Sequence, residues 1–331
     1  MAADARRPRV IAQLTSRLLQ AIPVLLVVSF LSFAIFTYVG DPVSIMLGQN
    51  ATPAMRIAMR HTLGLDQPFL VQFVRFMERA IHFNFGLSYR LALPVSTLIL
   101  QRLPATTELV ASSAVLALVV GLPLGVYTSI RPNSFLSRTI MAGSLVGVSL
   151  PTFLLGILLI LFFSVLLGWL PSFGRGHVIN FAHWSTGFLT VSGLESLILP
   201  SITLGLFQMT LIMRLVRTEM LEVLRSDYIK FARARGITSR AIYFGHALRN
   251  TLVPVITIVG LQIGGLIGFS IVTETVFQWP GMGLLLLQSI QNADIPVMSA
   301  YLIVIALVFV VINFIVDILY FVVDPRLRVK R

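Results

Sequence analysis

Long stretches without a charged residue dominate this chain and restrict it to one class of fold. Six of them are close to or above the length of about 20 residues that a helix needs to cross a bilayer. Because the bilayer interior offers no water, a spanning segment must satisfy its own backbone hydrogen bonds, as a helix does. The sequence therefore predicts an all-α integral membrane protein with six transmembrane helices. The charge-free stretches are 18–40, 109–130, 139–168, 196–213, 250–273 and 295–316.

The composition supports this class and excludes several others. Hydrophobic residues make up 56% of the 331 residues, charged residues only 11%, and the mean hydropathy is +0.91, whereas soluble domains contain about 25% charged residues. The net charge of +12 could suggest a nucleic-acid-binding protein, but the arginines flank apolar stretches and do not form a patch with interleaved aromatics, so no nucleic acid is expected. The chain has no cysteine, which excludes disulfides, thiolate metal sites and cysteine nucleophiles.

The distribution of basic residues predicts the orientation of the spans. If both termini face the cytoplasm, 18 of the 25 Lys and Arg residues lie in inner segments and 7 in outer segments, in agreement with the positive-inside rule. The predicted segments are a cytoplasmic N-terminus (1–17), span one (18–40), an external cap (41–107), span two (108–130), span three (139–168), an external loop (169–195), span four (196–216), a cytoplasmic coupling loop (217–250), span five (251–273), an external loop (274–294), span six (295–321) and a cytoplasmic C-terminus (322–331).

The first outer segment is too long for a simple turn and is predicted to fold into a small external cap. Thr52-Pro53 and Gln67-Pro68 are each typical of a capping residue followed by proline at a helix start. After Pro68 the apolar residues recur at helical spacing. This predicts an amphipathic helix that lies on the membrane surface or packs against the bundle.

A polar and strongly basic segment, 218–254, separates spans four and five. Ser226 or Asp227 is a suitable N-cap for a short helix, and Gly236 stands where a C′ glycine would end it. A second short helix is predicted over about 238–249. The apolar faces of these helices are too small to form a core of their own. The segment is therefore predicted either to fill a groove in a partner protein or to lie on anionic lipid headgroups.

Span five carries small residues on one face, Gly260, Gly264 and Gly268, with the polar Gln262 among them. Small faces allow two helices to approach closely, and polar groups within a membrane face protein or a water cavity. This face is therefore predicted either to pack against a neighbouring helix or to line a moving pathway. Glu274, at the outer end of the same span, is predicted to brace a loop or to contact a substrate.

Several separated motifs resemble those of one family in their order and spacing. In the basic loop they are Asp227-Tyr228-Ile229, Ala232-Arg233-Ala234-x-Gly236 and His246-Ala247-Leu248-Arg249-Asn250; after span five, Glu274-Thr275-Val276-Phe277 and Trp279-Pro280-Gly281; and at the C-terminus, 317–326. The chain resembles the permeases of binding-protein-dependent ABC importers. Within them it is similar to the first of the two paired permeases of dipeptide and oligopeptide systems.

The resemblance implies a type I ABC importer permease in the bacterial cytoplasmic (inner) membrane, a transport subunit and not an enzyme. The partners it implies are a second homologous permease, two cytoplasmic ABC ATPase subunits, an external solute-binding protein and membrane lipid. The implied coupling residues are Asp227, Tyr228, Ile229, Ala232, Arg233, Ala234, Gly236, His246 and Arg249. The expected path residues are Gln262, Gly260, Gly264 and Gly268, and those of an external loop or gate are Glu274, Phe277, Trp279, Pro280 and Gly281.

The sequence also indicates that ATP hydrolysis takes place in a partner subunit. A Walker A motif needs Gly-Lys followed by Ser or Thr, but Lys230 and Lys330 are the two lysines of the chain and glycine precedes neither. ATP and Mg²⁺ are therefore expected to bind to partner ATPases, and this chain is expected to hold no cofactor and no metal.

Two other classes of protein were weighed against this interpretation. A secondary carrier that needs no ATPase predicts more charges within the spans, and Asp317 is slight support for it. An intramembrane enzyme predicts a motif such as HExxH or GxSxG, and the sequence contains neither. Among substrates, di- or oligopeptides are expected, with nickel complexes, glutathione and oligosaccharides as alternatives for the same architecture.

Overall fold

The computed structural model describes residues 7–39, 43, 47, 51–62, 64–181 and 184–323. Residues 1–6 of the predicted cytoplasmic N-terminus and residues 324–331 of the predicted cytoplasmic C-terminus lie outside these described residues, as does part of the motif at 317–326. The helices are α1 (Arg7–Val39), α2 (Pro53–Thr62), α3 (Phe69–Ile81), α4 (Val95–Ile130), α5 (Phe135–Ser149), α6 (Thr152–Leu159), α7 (Val191–Arg225), α8 (Asp227–Ala234), α9 (Leu248–Val276), α10 (Met282–Gln291) and α11 (Ile295–Val323). The described residues also include two π-helical segments, Ile160–Leu166 and Ala241–Ala247, and a two-stranded sheet of β1 (Ile179–Phe181) and β2 (Trp184–Thr186).

The chain divides into two compact units. The first, which we call the N-terminal unit, comprises Met1–Pro104, Asn180–Ser185 and Pro280–Val311. The second, the central unit, comprises Ala105–Ile179, Thr186–Trp279 and Ile312–Arg331.

Aromatic side chains hold the N-terminal unit together where α3 packs on α1. The Phe30 ring lies 5.3 Å from that of Phe73, and the Phe33 ring stacks on that of Phe76 at 5.2 Å. Both helices of the predicted cap begin where the proline signals place them, α2 at Pro53 and α3 directly after Pro68. The predicted amphipathic helix over 69–81 is therefore confirmed.

Glycines allow close helix packing in the central unit. A Cβ added at Gly121 or Gly125 of α4 would lie 2.7 Å from a backbone carbonyl oxygen of α7, that of Met209 or Met213 respectively. Such an approach is open only to residues without a side chain. The four-residue spacing of these glycines in span two thus serves packing against α7. A core cluster surrounds the contact, including Val126, Ile212, Val216, Met220 and Val255.

Within the described residues, four helices are long and apolar enough to cross a membrane: 95–130, 191–225, 254–276 and 295–318. A fifth is obtained if α5 and the helix 152–166 count as one span, but their axes differ by 112°. Pro151 stands at that break, where it lacks an amide hydrogen and disfavours a helical conformation at Leu150. Helix α1 contributes a shorter apolar stretch, 19–35. The membrane character and helical fold are confirmed, while the count of six spans remains a prediction. The predicted third span, 139–168, is divided by this bend.

Candidate coupling site

A short helix, α8, follows the long helix α7 after a single extended residue. Ser226 has φ −66° and ψ 153°, which ends α7 and turns the chain into α8. Asp227 lies in the first turn of α8, where a negative charge stabilises the helix dipole. Its carboxylate accepts from Lys230 Nζ at 2.7 Å on the exposed surface. Of the two predicted N-cap residues, Ser226 takes that position, and Asp227 is the first residue of the helix.

Gly236 ends α8 through a Schellman motif. Its φ of +77° is left-handed, its amide donates to the Arg233 carbonyl, and the amide of Ile237 donates to the Ala232 carbonyl. This pair of hydrogen bonds satisfies carbonyls that the helix leaves open, and glycine meets the conformation without steric cost. The Ile237 side chain then packs on the buried Ile229 and Ala232. The helix is thus fixed by local chemistry at its C-terminus.

One apolar face of α8 is buried within the chain itself. Ile229 and Ala232 form a small cluster with Ile242, against which Val223 and Leu224 of α7 pack. Sequence reasoning judged this face too small for a core and assigned it to a partner. The structure corrects that interpretation, because the helix end, the following turn and the π-helical segment combine their few apolar side chains into one cluster.

The second predicted short helix is continuous with span five. The π-helical segment Ala241–Ala247 runs directly into α9, and the backbone at both joints is helical, with φ/ψ of −64°/−43° at Arg240 and −58°/−42° at Leu248. The predicted end near Arg249 is therefore wrong. Asn250 Nδ2 donates to the Tyr228 hydroxyl at 2.7 Å, which links α9 to α8 by a side-chain hydrogen bond.

The outer surface of this assembly is aromatic and basic. Tyr228 and Phe231 are exposed on α8, Phe231 by 63% of its surface, and the Arg235 guanidinium lies over the Phe231 ring at 5.5 Å from its centroid. The remaining predicted coupling residues that are exposed are Asp227, Arg233, Ala234, Gly236, His246 and Arg249. An exposed aromatic side chain in contact with an arginine is the composition of an interface anchor. The predicted site therefore separates into buried residues that position α8 and exposed residues available to a partner.

At the other end of α9, Glu274 is fully buried. Its Oε1 accepts from Thr106 Oγ1 at 2.6 Å and from Ser270 Oγ at 3.3 Å. Nearby in the chain, the buried Trp279 donates from Nε1 to the Ala105 carbonyl at 2.9 Å. The side chain of Glu274 thus links α9 to α4 instead of bracing a loop, and burial replaces the water contact expected at the edge of a span. Phe277 is also buried, Pro280 half-buried, and Gly281 precedes the first turn of α10.

A buried ion pair was missed by sequence reasoning. Arg175 donates from Nε and Nη2 to Glu108 Oε2 at 2.9 and 2.6 Å, and the Gly187 amide donates to Glu108 Oε1 at 2.9 Å. Only 3% of Glu108 and 7% of Arg175 is exposed. The one feature of the sequence that could have pointed to this pair is that Arg175 is the only Arg or Lys in the predicted external loop 169–195.

The predicted path residues do not share one environment. Gly260 is buried and lies so close to Val316 of α11 that an added Cβ would meet the valine side chain. Gly264 is buried and Gln262 half-buried, while Gly268 is exposed with open space at its Cβ position. Packing therefore explains Gly260, and a role in a path remains a prediction for Gln262 and Gly268. Among the described residues no cluster of His, Asp or Glu is arranged to hold a metal.

Comparison with known proteins identifies the family. Residues 121–329 match the model of the binding-protein-dependent transport system inner membrane component, and residues 10–110 match that of its N-terminal part. The oligopeptide transport system permease protein AppB of Bacillus subtilis is 40% identical over 319 residues, 96% of this chain and 99% of that protein. The dipeptide transport system permease protein DppB of Alkalihalophilus pseudofirmus is 38% identical over 325 residues, 94% and 98% of the two chains.

A solved structure supports the same fold. The MetNI methionine ABC transporter in an inward facing conformation matches 69% of this chain and 97% of its own chain, with a TM-score of 0.55 and 22% identity. That likeness confirms the expected importer permease fold. Together with the sequence matches to both parts of the family, it establishes that the chain is a permease subunit and belongs to the inner membrane components of binding-protein-dependent transport systems.

Proposed function

We propose that this permease forms, with a homologous sibling, the path by which di- or oligopeptides are imported across the bacterial cytoplasmic membrane. The substrate class is supported by the relatives named for dipeptide and oligopeptide transport. A relative from Escherichia coli named for glutathione transport is 38% identical, so glutathione, itself a small peptide, is the nearest alternative. An external solute-binding protein delivers the substrate, and both termini face the cytoplasm.

The observation that carries the mechanism is the attachment of α8 to the helix of span five. The buried Ile229 and Ala232, the Gly236 turn and the Asn250–Tyr228 hydrogen bond join α8 to the continuous helix that runs to Val276. A partner that moves α8 therefore moves this helix as well. The exposed Phe231, with Arg235 over its ring, is the group that enters the groove of an ATPase partner.

The driving force comes from two cytoplasmic ATPase subunits, which bind ATP and Mg²⁺. Closure of the ATPase pair displaces α8, and the attached helix changes the access of the path from one side of the membrane to the other. In this scheme the permease contributes no catalytic residue. It converts a movement at the cytoplasmic surface into a rearrangement of its spans.

The assembly is tested by co-purification. The full chain, tagged and expressed with its neighbouring genes, is expected to retain a second permease and one or two ATPases in mild detergent, as identified by mass spectrometry. Phe231→Asp should abolish retention of the ATPases, since it puts a charge at the centre of the interface. Phe135→Asp, at a residue that is 86% exposed elsewhere, is the matched control. ATPase retention by Phe231→Asp equal to that of the unaltered chain would overturn the site.

Coupling is tested at Gly236. At position 236 a valine side chain would have open space around it. The turn, however, requires a left-handed backbone, which costs a non-glycine residue about 1–2 kcal/mol. We expect a folded permease with reduced uptake of a labelled dipeptide per ATP hydrolysed. Gly245→Val, where the Cβ also has open space and φ is ordinary, should transport normally. Normal transport by Gly236→Val would contradict the role of this turn.

A further inference from the structure

A cavity of about 440 Å³ lies within the N-terminal unit, inside the range of about 300–1,000 Å³ that is typical of small-molecule sites. It is bordered by α1, by α3, by the turn that precedes α4 and by the first residues of α11. Its apolar wall includes Phe33, Phe76 and Phe85, and its polar wall includes Arg75, Arg79 and Tyr89. Such a combination of walls fits a molecule with an anionic group and an apolar body.

The two arginines of this cavity are free to bind an anion. Arg75 and Arg79 lie one turn apart on α3, so their side chains share one side of the helix. The ion pairs formed within the described part of the chain include neither of them. Arg79 Nε donates to the Arg75 carbonyl at 3.3 Å, which leaves the terminal nitrogens of both guanidinium groups as donors.

The carboxylate of Asp294, next to the cavity-lining Ile295, is already satisfied by other groups. The buried Asp294 accepts from the Ser88 hydroxyl, and its Oδ1 accepts from the Tyr89 amide at 3.1 Å. Burial, and then the Asp294 charge, raise the pKa of the Tyr89 hydroxyl above its usual value, against a smaller lowering by Arg79. Tyr89 therefore remains protonated at neutral pH and is a further donor on the cavity wall.

The same helix carries an exposed apolar strip. Leu70, Val74 and Ile81 are exposed and fall on one side of α3, away from the arginines. A helix with this pattern lies in the membrane interface with its apolar side among acyl chains and its basic side at headgroup level. The cavity is thus placed beside lipid, and a ligand that reaches it from the bilayer brings both an anionic group and an apolar body.

We propose that this cavity binds an anionic phospholipid, whose phosphate is held by Arg75 and Arg79 and by the Tyr89 hydroxyl. The acyl chains lie against the phenylalanine wall of the cavity, formed by Phe33, Phe76 and Phe85. Free phosphate offers the same anionic chemistry but leaves the phenylalanine wall without a partner. The site is separate from the proposed peptide path.

The test is native mass spectrometry of the full transporter released from nanodiscs of phosphatidylglycerol and phosphatidylcholine. We expect the unaltered protein to retain phosphatidylglycerol in preference to phosphatidylcholine. R75Q/R79Q should lower that retention by about 25-fold, because each basic residue at an anionic surface contributes about fivefold in affinity. R56Q/R60Q, which changes two arginines at the same spacing on α2, should retain the lipid normally. Tyr89→Phe should weaken retention less than the double substitution.

Three results would overturn the proposal. Equal retention of phosphatidylglycerol by R75Q/R79Q and R56Q/R60Q excludes the arginines as its ligands. Displacement of the lipid by inorganic phosphate at low concentration indicates a site for the free anion. Displacement by a dipeptide but not by its C-terminal amide indicates that the arginines hold a peptide carboxylate.

Discussion

At the scale of single residues, the buried pair of Glu108 and Arg175 is the feature that sequence reasoning could least have found. The two residues are 67 positions apart; Glu108 is the first residue of the predicted span two, and Arg175 lies within the predicted external loop 169–195. No spacing rule relates a residue within a long helix to one in an irregular segment. By contrast, Gly236 was predictable because a helix C-terminus needs one left-handed residue and glycine adopts that conformation most easily.

The pair makes a strong prediction for stability. Glu108→Gln leaves the Arg175 charge buried without its counter-ion, and breaking a buried pair from one side costs about 3–5 kcal/mol. We expect a clear fall in the thermal unfolding midpoint of the purified protein in detergent. Adding Arg175→Gln to this variant should recover part of the loss, since no unpaired charge then remains buried. Lys230→Met breaks an exposed pair and should change the midpoint little. An unchanged midpoint for Glu108→Gln would contradict the structural role of the pair.

At the scale of secondary structure, the joint between the basic segment and span five decides how the site can work. The sequence predicts a second short helix that ends near Arg249, where the charge-free stretch 250–273 begins. No residue at this joint prevents a helical backbone, however, and the π-helical segment Ala241–Ala247 carries the helix through. Residue type alone does not reveal such a segment, because π-helices are rare and occur mostly as single turns within α-helices.

This continuity is tested with proline at two positions of one helix. Leu248→Pro removes the amide that donates to the Tyr243 carbonyl, and it disfavours the helical conformation of Ala247, at a cost of about 3 kcal/mol or more. We expect the ATPases still to bind and hydrolyse ATP while uptake of a labelled dipeptide is lost. Ser239→Pro, at the first residue of the helix, should be tolerated because proline suits a first turn. If Leu248→Pro transports as well as Ser239→Pro, a rigid connection is not required.

At the scale of the whole molecule, the apolar stretches were enough to predict a helical membrane protein, and the separated motifs were enough to predict its family. The sequence could not predict in the same way whether the third apolar stretch, 139–168, crosses the membrane as one straight helix. Its hydropathy is continuous over 139–168, yet two helices at 112° replace one straight span. A proline within an apolar run shows where a bend is possible, but whether the chain crosses or returns depends on the helices against which it packs.

The topology can be measured directly because the chain has no cysteine, so each introduced cysteine is the only thiol that a reagent can label. Phe135→Cys and Phe173→Cys stand at exposed positions before and after the bent pair. In spheroplasts, a membrane-impermeant maleimide is expected to label Phe173→Cys at once and Phe135→Cys only after permeabilisation, since the pair crosses the membrane. Ser239→Cys should behave as Phe135→Cys does, and Gln278→Cys as Phe173→Cys does. Labelling of Phe135→Cys and Phe173→Cys from the same side would mean that the pair returns to its starting surface. The basic segment would then face outward, against the positive-inside rule, and contact between α8 and a cytoplasmic ATPase would be impossible.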